Sequence, residues 1–294
     1  MTELLALGLA TRTIFRVDVA GGHAKVLVKD TAYSPDGVVL IDGTVYWTTM
    51  GRPERLAGVD GEETFDYSAP TGGLHAIGID GTGRRDLLPA GTITSGKQLA
   101  TDHRGRLFWG DREGRRVSSC RLDGSGYADV VVNPPADDGT AECVGVAVDA
   151  EHVYWTQKGP PKGGLGRIFR ARRTMPAGQT PDARTDVEEL WSGLPEPIDL
   201  EVVDGLVYWT DRGAEPDGNT LNRAPVPAHG ERGSPPEILA RGLQEAIGLA
   251  VDRSAGLAYV SDLGGTIVAV ALDGTGDRVV ADLGQMVTGI ALVR

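Results

Sequence analysis

The chain has 294 residues, 40% of them hydrophobic, with 42 glycines, 17 prolines and a formal net charge of −12. That length suits two ordinary domains or one large all-β ring. No run of about 18 apolar residues reads as a membrane span, and the acidic balance disfavours phosphate-rich surfaces, so neither nucleic acid nor membrane is expected as a partner.

Two cysteines, Cys120 and Cys143, make no disulfide framework. The start Met1-Thr2-Glu3-Leu4-Leu5 lacks the basic segment and apolar stretch of a secretory signal. Together these lead to the expectation of a cytoplasmic protein.

In chain order, the head Leu4-Leu5-Ala6-Leu7-Gly8-Leu9 and then Thr13-Ile14-Phe15-Arg16-Val17 read as two strands without a strand before them. There follow five hairpins, each an alternating strand, a tight turn such as Asp42-Gly43 or Asp204-Gly205, and a second strand carrying an aromatic motif. The motifs are Tyr46-Trp47-Thr48, Phe108-Trp109-Gly110, Tyr154-Trp155-Thr156, Tyr208-Trp209-Thr210 and the weaker Tyr259-Val260-Ser261. Their central residues are spaced by 62, 46, 54 and 51 positions, the period of a repeat architecture. A third strand follows each hairpin, for example Arg167-Ile168-Phe169-Arg170, and a fourth follows turns such as Asp123-Gly124-Ser125-Gly126. Four antiparallel strands per unit make a propeller blade.

The tail Thr288-Gly289-Ile290-Ala291-Leu292-Val293 is a first strand without a successor. Joined to the head, it completes a sixth blade and removes the open sheet edge. The expected fold is an all-β, six-bladed propeller occupying residues 1–294 as one domain. The loops after the aromatic motifs are long in blades one, three and four, and long loops on a rigid scaffold are where binding is expected. The first of them, carrying Phe65, Asp66 and Tyr67, is expected to cover the mouth of the central channel.

Over essentially its whole length the sequence resembles the YWTD-repeat six-bladed propellers of the low-density lipoprotein receptor class. Tyr208-Trp209-Thr210-Asp211 is the motif itself, while Tyr46-Trp47-Thr48-Thr49, Tyr154-Trp155-Thr156-Gln157 and Phe108-Trp109-Gly110-Asp111 depart from it. The segments Thr156-Gln157-Lys158-Gly159-Pro160-Pro161-Lys162, Leu194-Pro195-Glu196-Pro197-Ile198-Asp199 and Asp211-Arg212-Gly213 look like an intracellular bacterial and fungal branch. That branch occurs in natural-product pathways and includes propellers that catalyse hetero-Diels–Alder cyclisations. The resemblance implies the fold and, for function, a ring-forming step on a small metabolite.

Aligning the innermost strands on Gly37, Gln98, Gly145, Asp199, Gly248 and Gly289 exposes a column three residues earlier. It reads Ser34, Ser95, Glu142, Glu196, Glu245 and Met286, so three glutamates fall at one level of consecutive blades. Carboxylates there can hold a divalent cation (calcium or magnesium), bind a substrate ammonium, or transfer protons. A second column after the motif reads Met50, Arg112, Lys158, Arg212 and Leu263. Its cations either polarise a substrate oxygen or pair with the glutamates as inter-blade salt bridges.

The candidate catalytic set is Glu142, Glu196, Glu245, Asp36 and Lys97, and the candidate substrate-binding set is Met50, Lys158, Arg212, Gln98, Asp199, Phe65 and Tyr67. The partner is a small, fairly apolar molecule, and the first reading is a cyclase or lyase.

A metal-dependent lactonase resembling the senescence-marker propellers is the second. The ligand position of that family falls one residue before the aligned glycine, where Asp36 fits but Val144, Ile198 and Ile247 do not. Strictosidine-synthase-like propellers, more distantly similar, use a glutamate base in a condensation. A non-catalytic interaction propeller is the third reading. The motif aspartates Asp111, Asp211 and Asp262 are expected to hydrogen-bond backbone between blades.

Overall fold

The computed structural model describes residues 2–58, 64–136 and 138–293. Among these the strands form six four-stranded antiparallel sheets and one two-stranded ribbon. Blade four is typical: Pro197–Val203, Leu206–Asp211, Thr220–Pro225 and Glu237–Ala240, each hydrogen-bonded to the next in sequence. Blade six is assembled from both ends, Val287–Val293 pairing with Glu3–Gly8, which continues into Thr13–Asp18 and His23–Lys29. The innermost strands contact one another in turn around the ring, from Pro35–Ile41 through Gly96–Thr101, Cys143–Val148, Pro197–Val203 and Ala246–Asp252 to Val287–Val293. The tight turns form as read: Asp42 and Gly43 both have positive φ, 46° and 74°, as do Asp204 and Gly205, the pairing that matches strand twist.

The core is distributed between blades. Trp47, Trp109, Trp155 and Trp209 are fully buried; Trp47, for example, packs with Leu5, Leu7 and Ile14 of the closing blade. Each such side chain contributes about 1.5–3 kcal/mol or more by leaving water. The residue after the tryptophan explains the rest of the motif. Thr156 Oγ1 accepts the Gly145 N–H at 2.7 Å within its blade and donates to the Ile198 carbonyl of the next blade at 2.6 Å. Thr210 repeats this with Asp199 N–H and the Ile247 carbonyl, Thr48 with Gly37 and Lys97, and Ser261 with Gly248 and Thr288. Blade two has Gly110 and blade six Leu7 at this place, and in blade two the reason is steric: a Cβ on Gly110 would stand 2.6 Å from the Val144 carbonyl oxygen.

The motif aspartates work differently from the expectation. Asp111 accepts the Thr94, Ser95 and Gly114 amides, and Asp211 those of Glu196 and Gly213. Asp262 accepts the Thr266 amide and hydroxyl. All these partners lie in the same blade or in the segment that leads into it. The hydroxyl bridges blades; the carboxylate fixes the approach to its own innermost strand.

Candidate functional site

The two columns read from the repeat are direct neighbours at one end of the channel. In four of the five motif blades the residue after the motif donates its N–H to the column carbonyl of its own blade: Met50 to Ser34 at 2.8 Å, Arg112 to Ser95 at 3.0 Å, Arg212 to Glu196 at 3.1 Å and Leu263 to Glu245 at 3.1 Å. One layer deeper, Val144, Ile198 and Ile247 from three blades meet in a single apolar cluster with Leu263 against it. The same layer in the other blades is polar, with Asp36, Lys97 and Thr288 all buried. The mouth therefore has an apolar wall on blades three to five, capped by glutamates, and a polar wall opposite.

Charges at the rim are interleaved into one arc. Arg112 holds Glu113 through Nε at 2.7 Å and reaches Glu142 at 4.0 Å. Lys158 lies between Glu142, 3.6 Å away, and Glu196, 3.9 Å away, and donates to the Gly159 carbonyl at 3.0 Å. Arg212 grips Glu196 with Nε at 2.8 Å and a terminal nitrogen at 2.7 Å, both on Oε1. Lys162, on the long blade-three loop, closes the arc: its N–H donates to Glu196 Oε2 at 2.9 Å and its ammonium pairs with Glu245 at 2.8 Å.

These groups differ in kind. Glu196 is fully buried and satisfied on both oxygens, which makes it a brace. Glu142 is partly exposed, and its Oε2 is buried without a hydrogen bond. Burial raises the Glu142 carboxyl against the opposing pull of Lys158 and Arg112. Burial also lowers the Lys158 ammonium, against Glu142 and Glu196. The two shifts run toward each other, and groups perturbed in this way are candidates for acid–base work.

The remaining candidates fall into place around this pair. Asp36 is ion-paired with Lys97 and accepts from Gln98 at 3.1 Å; burial lowers the Lys97 ammonium despite Asp36. Met50 packs its sulfur 3.2 Å from Lys97 Nζ. Asp199 accepts the Leu200 and Leu249 amides, and burial holds its carboxyl well above the usual carboxylate range, so it ties blade four to blade five. Tyr67 reaches the mouth: its hydroxyl is 3.3 Å from Ser34 Oγ and Arg112 stands 5.6 Å over its ring. Phe65 is 48% exposed. The loop that carries both is partly ribbon, Glu54–Arg55 against Phe65–Asp66, and Val59 to Glu63 lie outside the described residues.

Among the described residues no group of three or more His, Cys, Asp or Glu side chains is placed to hold a metal. The donor set explains this: Glu196 and Glu245 already face cations, so Glu142, Glu196 and Glu245 do not form a ligand cluster. Two members of the arc, Glu113 and Lys162, are invisible to the column alignment. Glu113 follows Arg112 in a turn, and Lys162 arrives from a loop that the repeat does not index.

Against this geometry, comparison with known proteins is informative. The chain is 40% identical over 294 residues, 93% of its length and 89% of the relative's, to a Pyricularia oryzae protein named low-density lipoprotein receptor-related protein 1. The chain belongs to the family of that protein. A Cochliobolus heterostrophus protein named 3-hydroxyacyl-CoA dehydrogenase-like protein LAM1 is 37% identical over 95% of this chain, which spans 60% of that protein.

No protein-family profile matches the sequence. Among solved structures, a chain of a nidogen–laminin complex aligns over 100% of this chain and 99% of its own, with a TM-score of 0.73 at 17% identity. TolB from Acinetobacter baumannii aligns over 99% and 66%, at 0.66 and 10%. A luciferin-regenerating enzyme aligns over 87% and 78%, at 0.58 and 13%. At such identities these neighbours speak to the fold alone.

Among the described residues no helix is long and apolar enough to cross a membrane. Both thiols are free and buried.

Proposed function

We propose that this propeller is an enzyme acting on a small, largely apolar metabolite at the channel mouth, most simply a ring-forming isomerisation of the cyclase or lyase class. The observation that carries the reading is the Glu142–Lys158 pair, an acid and a base shifted toward each other beside the apolar wall of Val144, Ile198 and Ile247. In this reading the wall orients the hydrocarbon part of the substrate. Lys158 or Arg112 polarises a carbonyl oxygen, and Glu142 moves a proton at the reacting centre. Glu196 with Arg212, and Asp36 with Lys97, hold the rim in place. The name of the Cochliobolus relative supports a metabolic setting.

A second reading, a non-catalytic binding propeller, draws on the exposed apolar side chains carried by loops on the mouth face: Tyr33, Leu56, Phe65, Leu165 and Met286. The name of the Pyricularia relative points the same way.

The two readings separate by product mass. A metabolite extract from the source organism lacking this gene is incubated with purified protein and followed by liquid chromatography and mass spectrometry. Cyclisation consumes one apolar compound and yields an isomer of identical mass. A product heavier by one water identifies a hydrolase instead, and an extract left unchanged supports binding.

A further inference from the structure

The apolar wall on which a substrate would rest is closed in this structure. Val144, Ile198 and Ile247 are only 2%, 3% and 6% exposed. Each lies two residues after a rim glutamate, Glu142, Glu196 or Glu245, so a segment that bridges those glutamates lies on the approach to the wall.

One segment does so. The blade-three loop connects His152–Gln157 to Gly166–Arg172, and its Lys162 reaches the next two blades. The Lys162 N–H donates to Glu196 Oε2 of blade four at 2.9 Å, and its ammonium meets Glu245 Oε1 of blade five at 2.8 Å. The Gly164 N–H donates to the Pro195 carbonyl at 3.2 Å. The loop therefore runs as a strap from blade three along the rim to blade five.

The strap is a stiff piece between two pliable ends. Gly159 and Gly164 have positive φ, 72° and 67°, a region that glycine enters and leaves without a Cβ penalty. Between them Pro160 and Pro161 restrict the backbone, and the Gly163 N–H returns to the Pro160 carbonyl at 3.0 Å. The far anchor faces water. The Lys162 and Glu245 side chains are 48% and 27% exposed, and an ion pair so placed is weakened by solvent and salt. When the strap lifts, Glu196 keeps its bonds to Arg212, so the rim beneath it stays braced.

We propose that residues 159–164 form a gate with Lys162 as its latch. Paired with Glu245, the strap seals the apolar wall; released, it swings about Gly159 and Gly164 and opens the wall to an apolar substrate. This gate rests on the reading of the mouth as the substrate site, and it assigns a task to a loop sequence that the repeat does not require.

The test reads access to the wall and needs no substrate. Ile247→Cys places a thiol in the wall, and its labelling by N-ethylmaleimide in the full-length protein is followed by intact mass. Cys120 and Cys143 are buried, so a single added label marks strap opening and three mark global unfolding. The expected result is slow single labelling that becomes at least about tenfold faster when Lys162→Met or Glu245→Gln is added. Salt should speed it in the latched protein and leave the two unlatched variants unchanged. If Ile247→Cys fails to fold, Val144→Cys reports the same wall from blade three. Equal labelling rates with and without the latch overturn the gate. Latch-dependent labelling in a protein that leaves the metabolite extract unchanged upholds the gate and overturns the enzymatic reading instead.

Discussion

Burial acts on Glu142 and Lys158 in opposite senses, raising one and lowering the other, whereas Glu196 a few ångströms away is locked between Arg212 and the Lys162 amide. The difference is testable by conservative substitution. Glu196→Gln leaves Arg212 without its buried partner and should cost about 3–5 kcal/mol in urea unfolding. Glu142→Gln breaks no hydrogen bond of the buried oxygen and should cost much less. Equal losses would mean that both are braces.

A pH effect is expected at Asp211, whose carboxyl burial pushes up to about 7. Its folded value exceeds the unfolded one, so the native state binds more protons across that window. Stability should therefore fall as pH rises from about 4 to about 7, and Asp211→Asn should flatten that slope in thermal melts taken across the range.

At the scale of strands, one hydroxyl in each of four blades carries two jobs, capping its own innermost strand and bridging to the next. Thr210→Val would orphan the Asp199 amide and the bridge to Ile247, at a cost of about 1–3 kcal/mol. Blade two makes the opposite prediction. Gly110→Thr restores the repeat residue yet should destabilise by about 1–3 kcal/mol, because the backbone of Val144 occupies the space. A rise in melting temperature for Gly110→Thr would show that the strands can separate to admit the side chain.

These elements also show what a reader of the sequence can and cannot extract. The aromatic spacing indexes the blades, so the strands, the ring closure and the column of Glu142, Glu196 and Glu245 all follow from it. The direction of the motif aspartates does not, since the same side chain can reach an amide in its own blade or the next. Lys162 and Glu113 stay hidden because they sit in turns with no period.

The whole molecule is a closed ring whose sixth sheet joins both chain ends. Removing residues 287–294 would leave Glu3–Gly8 with an unpaired edge and uncover two neighbouring innermost strands. Such a truncation should lose cooperative unfolding and elute as aggregate, and a cooperative monomer would show that closure is dispensable.

The ring also fixes the site. Six innermost strands bring side chains distant in sequence to one mouth, which is why an acid from blade three can stand beside a cation of its own blade and a brace from blade four. The most direct test of that arrangement compares wild-type protein with Glu142→Gln on the same metabolite extract. Loss of the isomeric product by about a hundredfold or more, with the melting temperature kept within a few degrees, is the result expected of a proton-transfer residue. Product formed by Glu142→Gln at the wild-type rate would contradict the assignment of Glu142 to the chemistry.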